Sequence, residues 1–104
     1  MDVLTFASDP IFYEMEFSGE KPFTVRCWDF NDERCRRLYH WHFIKHEKLG
    51  IRIQHTKTKD EFVRELRGVE FMRRCPHWVI IYLGDVIEPE AVEEEGQKKL
   101  PLGK

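Results

Sequence analysis

The sequence predicts an α+β fold, a small and partly open β-barrel carrying one or two short helices. Three observations lead there. One helical segment near the start is followed by four or five strand-length segments within about 80 residues. These segments lack the regular helix–strand alternation that builds a parallel sheet. The last of them, His77-Trp78-Val79-Ile80-Ile81-Tyr82-Leu83, is an unbroken apolar run, as expected of a strand buried on both faces or closing a barrel.

The elements follow in order. At Ser8-Asp9-Pro10 an N-cap signal precedes proline at a first helical position, and Ile11, Phe12, Met15 and Phe17 recur at roughly helical spacing. Gly19 is placed to end this helix of about ten residues, whose apolar face is expected to meet the core. Over residues 21–29 the period changes to two: Phe23, Val25 and Cys27 share one face and Thr24, Arg26 and Trp28 the other, as in a half-buried strand. Residues 32–39 carry a helical turn or two with Cys35, Leu38 and Tyr39 inward. The run from residue 39 to 46 alternates like a strand but is bounded like a loop or a helix. Ile51-Arg52-Ile53-Gln54-His55 alternates cleanly, residues 56–60 form a polar turn, and 62–71 return as a strand broken near Gly68, which makes a hairpin. Pro76 punctuates before the final strand, and Gly84-Asp85 ends it. Residues 1–85 thus read as one domain. Residues 86–104, with few side chains able to fill a core, read as an acidic, disordered or loosely attached tail.

Charge and cysteine content narrow the function classes. Seventeen basic against nineteen acidic residues give a net charge of -2, so no whole-molecule field marks a general nucleic-acid binder. Five Glu and three Lys fall in the tail, leaving a body with 14 residues of each sign. The odd set Cys27, Cys35 and Cys75 fits reduced thiols of a cytoplasmic protein better than a disulfide framework. No apolar stretch approaches the roughly 20 residues of a membrane span, and the start lacks the charged and apolar regions of a leader. No membrane association and no cofactor are expected.

The stretch SGEKPFTVRC, residues 18–27, concentrates the functional question. Its first half is similar to the linker between DNA-binding zinc fingers. A finger, however, needs paired cysteines and paired histidines, and the three cysteines include no C-x-x-C pair. A looser metal site of Cys35 with His40, His42 or His46 can be drawn, against the alternative of core cysteines and partly exposed histidines; no metal is expected. Without the linker, the stretch is Gly19-x-Lys21-x-x-Thr24-x-Arg26. Gly19 permits a tight turn, Lys21 stands at the strand entrance, and Thr24 and Arg26 share a strand face. Such a set suits a phosphate or a carbonyl oxygen; equally, Thr24 and Arg26 are what the solvated face of a half-buried strand would show.

Residues 12–26, with Gly19, Lys21 and Arg26 in a G-x-K-x-x-E-x-R pattern, resemble the start of an ASCH domain of the PUA-like superfamily, in small phage or bacterial form. Thr24 stands where that pattern usually has glutamate, and the glycine-aspartate pair common before a central barrel strand appears as Gly50-Ile51. The resemblance implies a PUA-like barrel that binds RNA or a modified nucleobase in a cleft beside it. A G-x-K-x-x-T-x-R branch deacetylates N4-acetylcytidine, which would make Thr24 the nucleophile; Lys21 would activate it as a base, its pKa lowered by burial, or polarise the amide, and Arg26 would order the strand or hold an anion. A catalytic glutamate would complete the set, with Glu70 as candidate and Glu61 and Glu65 behind it. Interleaved aromatic and basic residues from Trp28 to Lys48, namely Trp28, Phe30, Arg34, Arg36, Arg37, Tyr39, Trp41, Phe43, Lys45 and Lys48, are the mixture that grips single-stranded nucleic acid, or else a helix with a core face and solvated charges. Trp78 is expected in the core. A phage-encoded protein that uses its tail or aromatic surface to bind a host protein is the third reading.

Overall fold

The computed structural model describes residues 1–44, 46–72 and 77–88. Lys45, Cys75, Pro76 and residues 89–104 of the expected tail lie outside the described residues. The elements are β1 (Asp2–Ser8), α1 (Pro10–Ser18), β2 (Phe23–Cys27), α2 (Glu33–Phe43), β3 (Leu49–His55), β4 (Glu61–Phe71) and β5 (Trp78–Val86). Five strands in the order β1-β3-β4-β5-β2 form one sheet curled into a half-barrel, so the expected α+β, partly open barrel with two short helices is the architecture found. Only β1 and β3 run parallel; the other neighbours are antiparallel.

The concave face is the core. Leu49, Ile51 and Ile53 on β3 and Val79 and Ile81 on β5 are fully buried, each burial of this kind stabilising by about 1.5–3 kcal/mol. Leu38 and Trp41 of α2 cover one part of that face, and Tyr13 of α1 packs edge-on against Phe62 and His55 over another. Asp32 caps α2 by accepting the Arg34 N–H at 2.8 Å, which satisfies one of the free donors of its first turn.

Several expectations are corrected. The first element is a strand: Leu4, Phe6 and Ser8 alternate inward along β1 ahead of the helix, so Ser8 ends a strand and Asp9 takes the cap position. The apolar side read for α1 is largely exposed, because the helix turns Tyr13 and Glu16 inward instead and leaves Ile11, Phe12 and Phe17 outside. On β2 the faces are reversed: Thr24 is buried, while Val25 and Cys27 are exposed. The reason is register, since Thr24 pairs with Ile81 and Ile81 with Val69, a row that points into the core. The run from residue 39 onward continues α2 as far as Phe43, with Trp41 inward and Tyr39 outward. β5 is buried on one face only, with Val79, Ile81 and Leu83 inward and Trp78 and Tyr82 exposed. It also runs through Gly84 to Val86, where the missing Cβ lets β4 approach: a Cβ on Gly84 would stand 3.0 Å from the Glu65 carbonyl oxygen. The break expected near Gly68 is present as register shifts between Arg64 and Gly68, which allow Leu66 and Val69, three apart, to share the inner face.

Candidate functional site

The two edge strands, β1 and β2, leave the barrel open between them, and α1 connects them across that seam. Side chains rather than a ladder bridge the gap. Arg26 Nη1 donates to the Ala7 carbonyl at 2.6 Å, and Arg34 Nη1 donates to the Thr5 carbonyl at 2.7 Å. Both guanidiniums lie over the Phe6 ring, 5.3 and 4.5 Å from its centroid.

The local fold accounts for the G-x-K-x-x-T-x-R spacing. Gly19 takes the left-handed conformation at φ 88°, which a side chain would strain, and reverses the chain at the end of α1. The Lys21 N–H consequently returns to the Met15 carbonyl at 2.9 Å. Its ammonium then meets Glu16, one turn back on the helix, at 3.1 Å. Thr24 and Arg26, two apart on β2, share a face, and Arg26 Nε donates to Thr24 Oγ1 at 2.9 Å.

Ser8 joins the two halves. Its hydroxyl donates to Glu16 Oε1 at 2.8 Å and accepts from Arg26 Nη2 at 2.6 Å. A continuous chain of contacts therefore runs Lys21–Glu16–Ser8–Arg26–Thr24, drawn from α1, the turn after it, and both edge strands. Glu16 and Thr24 are each 1% exposed, and the Lys21 side chain 17%. A buried carboxylate is costly unless paired and hydrogen-bonded, and here both of its oxygens are occupied. Burial pulls the Arg26 guanidinium below its ordinary pKa, against the opposing pull of Glu16. These residues line an open cleft of about 360 Å³, with Phe12 as its aromatic wall. Lys21 and Arg26 face Glu16 and Asp9 there, so the lining carries no net formal charge.

The predicted site residues divide sharply. Lys21, Thr24 and Arg26 converge on this cleft. Glu70 does not: it pairs with Ile80 in the strand ladder, one residue from the inward Val69, and so points to the opposite, convex face, where it accepts from Tyr82 Oη at 2.8 Å. Glu61 and Glu65 lie outside the cleft as well. The carboxylate of the site is Glu16, and Ser8 is its second unread member. Glu16 stands three residues after Tyr13, hence on the inward side of α1, and a glutamate on a buried helical face was the available signal.

Most of the basic and aromatic side chains described in the segment from Trp28 onward have partners within the fold. Arg34 is clamped by Asp32, with Nη2 to Oδ2 at 2.6 Å, and this bond holds the Asp32 carboxyl below the usual range. Arg37 bridges Asp2 and Glu47 at 3.2 and 2.9 Å, while Arg36 is exposed and donates to the Phe30 carbonyl. Trp41 is core, its indole N–H donating to the Glu47 carbonyl at 2.7 Å. Trp28, just beyond β2, turns into a ring cluster with Phe30, Tyr39 and Phe71 and away from the cleft. The drawn metal site is likewise dispersed: Cys35 is buried, its thiol donating to the Cys27 carbonyl, and His46 stacks on Trp41. No group of three or more His, Cys, Asp or Glu able to hold a metal ion occurs among the described residues. No helix among them is long and apolar enough to cross a membrane. Comparison with family models, with curated proteins and with solved structures finds no match to this chain.

Proposed function

We propose that the cleft at the barrel seam binds the base of a modified nucleoside, free or within single-stranded RNA. One observation carries this reading: the chain Lys21–Glu16–Ser8–Arg26–Thr24 fixes donors and acceptors on the wall of a cleft that also presents the exposed ring of Phe12. Fixed polar groups beside an aromatic face suit a planar, uncharged ligand that offers both donors and acceptors. A run of phosphates suits it less, because the lining charges cancel. The likeness of Gly19, Lys21 and Arg26 to the ASCH pattern agrees with this reading. Titration with N4-acetylcytidine and with a short single-stranded RNA tests it. Binding that falls at least tenfold in Arg26→Ala supports the reading, and absence of binding of either ligand at low salt removes it.

A second reading, hydrolysis of the N4-acetyl amide to acetate and the free amine, is favoured by the convergence of Lys21, Thr24 and the Glu16 carboxylate on one cleft. Binding takes precedence because Thr24 is engaged by Arg26 rather than by a group able to take its proton. Release of acetate from N4-acetylcytidine, lost in Thr24→Val, decides for hydrolysis; no release, or release unchanged in Thr24→Val, decides against Thr24 as nucleophile.

A further inference from the structure

The convex face of the sheet has two unlike halves. On the half formed by β1, β3 and the start of β4, outward side chains are polar and paired: Arg52 meets Glu61 at 3.2 Å and Thr5 at 3.4 Å, and Gln54 reaches Glu61 at 3.4 Å. On the half formed by β2, β5 and the end of β4 they are apolar. Register dictates this, because the row Thr24–Ile81–Val69 points into the core and the rows on either side of it must point out. Those rows are Phe23–Tyr82–Gly68 and Val25–Ile80–Glu70, with the pair Cys27–Trp78 beyond them. Val25, Trp78 and Tyr82 stay 38%, 42% and 37% exposed, where a sheet face left to water normally carries polar side chains. Within these rows the only charge is on Glu70, which accepts from Tyr82 Oη at 2.8 Å. Charge returns at the border, where Arg67 lies against Gly84 and faces Asp85 at 3.7 Å.

We infer that two copies of the chain associate through this face, stacked sheet on sheet about a twofold axis. An apolar centre with a charged border is the layout of a protein–protein contact. Charge selects the partner. With no Lys or Arg in the rows, the face has nothing to hold phosphates or an acidic partner, and its one carboxylate is already hydrogen-bonded. An uncharged apolar patch is complementary to itself, which is what a twofold contact requires. Size agrees with a weak dimer. Strands about 4.8 Å apart, each contributing about 15 Å, make a patch roughly 15 Å wide in both directions. One side-chain width of border brings it to roughly 600 Å² per copy, the low end of specific contacts, so association is expected at about 10–100 μM.

Sedimentation velocity of the full chain between about 5 and 500 μM tests this. A dimer is expected to replace the monomer over that range and to survive about 0.5 M NaCl, since no ion pair crosses the contact. Val25→Lys, in the middle of the patch, is expected to weaken association at least tenfold, and Gln54→Lys, on the polar half, to leave it unchanged. Alkylation of the exposed Cys27 in the wild-type chain, read by peptide mapping, needs no variant to fold; its rate is expected to rise severalfold on dilution through the same range. A chain that stays monomeric at about 500 μM overturns the inference and leaves the face to a different protein. So do a dimer dispersed by salt, equal weakening by Gln54→Lys and Val25→Lys, and a Cys27 rate independent of concentration.

Discussion

Two regions of this molecule place cations beside aromatic rings, and they put them to different use. At the seam, Lys21 from a turn pairs directly with the Glu16 carboxylate, and Arg26 from a strand is linked to the same carboxylate through Ser8, all inside one cleft. On α2 and its flanks, Arg34 and Arg37 are neutralised by Asp32, Asp2 and Glu47, while Tyr39 and Phe43 present an exposed ring surface, Phe43 at 58%. Interleaving along a sequence creates the second kind of surface readily, because helix neighbours share a face. The first kind needs long-range closure, and its polar groups are buried at a cost that a structure carries only where each is paired.

The seam is most sensitive at Glu16. Glu16→Ala leaves the Lys21 ammonium and the Ser8 hydroxyl without their partner and is expected to cost about 3 kcal/mol in urea denaturation, together with ligand binding. Glu16→Leu combined with Lys21→Met, which removes both charges, should be markedly less destabilised than Glu16→Ala. Equal losses would mean that the pair is not buried as described. Arg26→Ala removes bonds to Thr24, Ser8 and the Ala7 carbonyl, for an expected loss of about 2 kcal/mol. Arg26→Lys should recover little of it, since one ammonium cannot span three acceptors held by a planar fork. On the α2 face, Arg36→Ala and Phe43→Ser should each change stability by no more than about 0.5 kcal/mol and leave nucleoside affinity intact. A larger affinity loss there would make that surface part of the site.

The smallest effect is the pH response of the α2 cap. The Arg34 hydrogen bond lowers the Asp32 pKa in the folded protein, so its stabilisation is complete above the unfolded value near 4 and fades as pH falls through the depressed folded value. The stability difference between wild type and Asp32→Asn should therefore be constant from pH 7 to about 5 and shrink below about 4. A difference that instead grew on acidification would contradict the sign of the shift.

Much of the fold was legible where one face is wet and the other dry. The period of two in residues 51–55, the polar turn after it and the irregularity at Gly68 all have local causes, and all are present. The reversed faces of β2 and α1 share one physical origin. The curl of the sheet buries Thr24 and Glu16 at the seam, so hydrophobicity alone assigned the wrong faces to β2 and α1. The alternation of Leu4, Phe6 and Ser8 along β1 is masked by the helix cap signal at Ser8-Asp9-Pro10, into which the strand runs. Of the site, Gly19, Lys21, Thr24 and Arg26 could be read from their spacing, which the turn and the strand period impose. Glu16 and Ser8 reach them through tertiary closure, and Glu70 fails because a single step in register moves a side chain to the other face of a sheet.

The most direct measurement is an amide shift map of the isotope-labelled protein titrated with N4-acetylcytidine. Perturbations are expected to concentrate at Ser8, Glu16, Lys21, Thr24 and Arg26, with Arg36, Tyr39 and Phe43 unmoved. Perturbations centred on α2, or none at saturating nucleoside, would contradict that expectation.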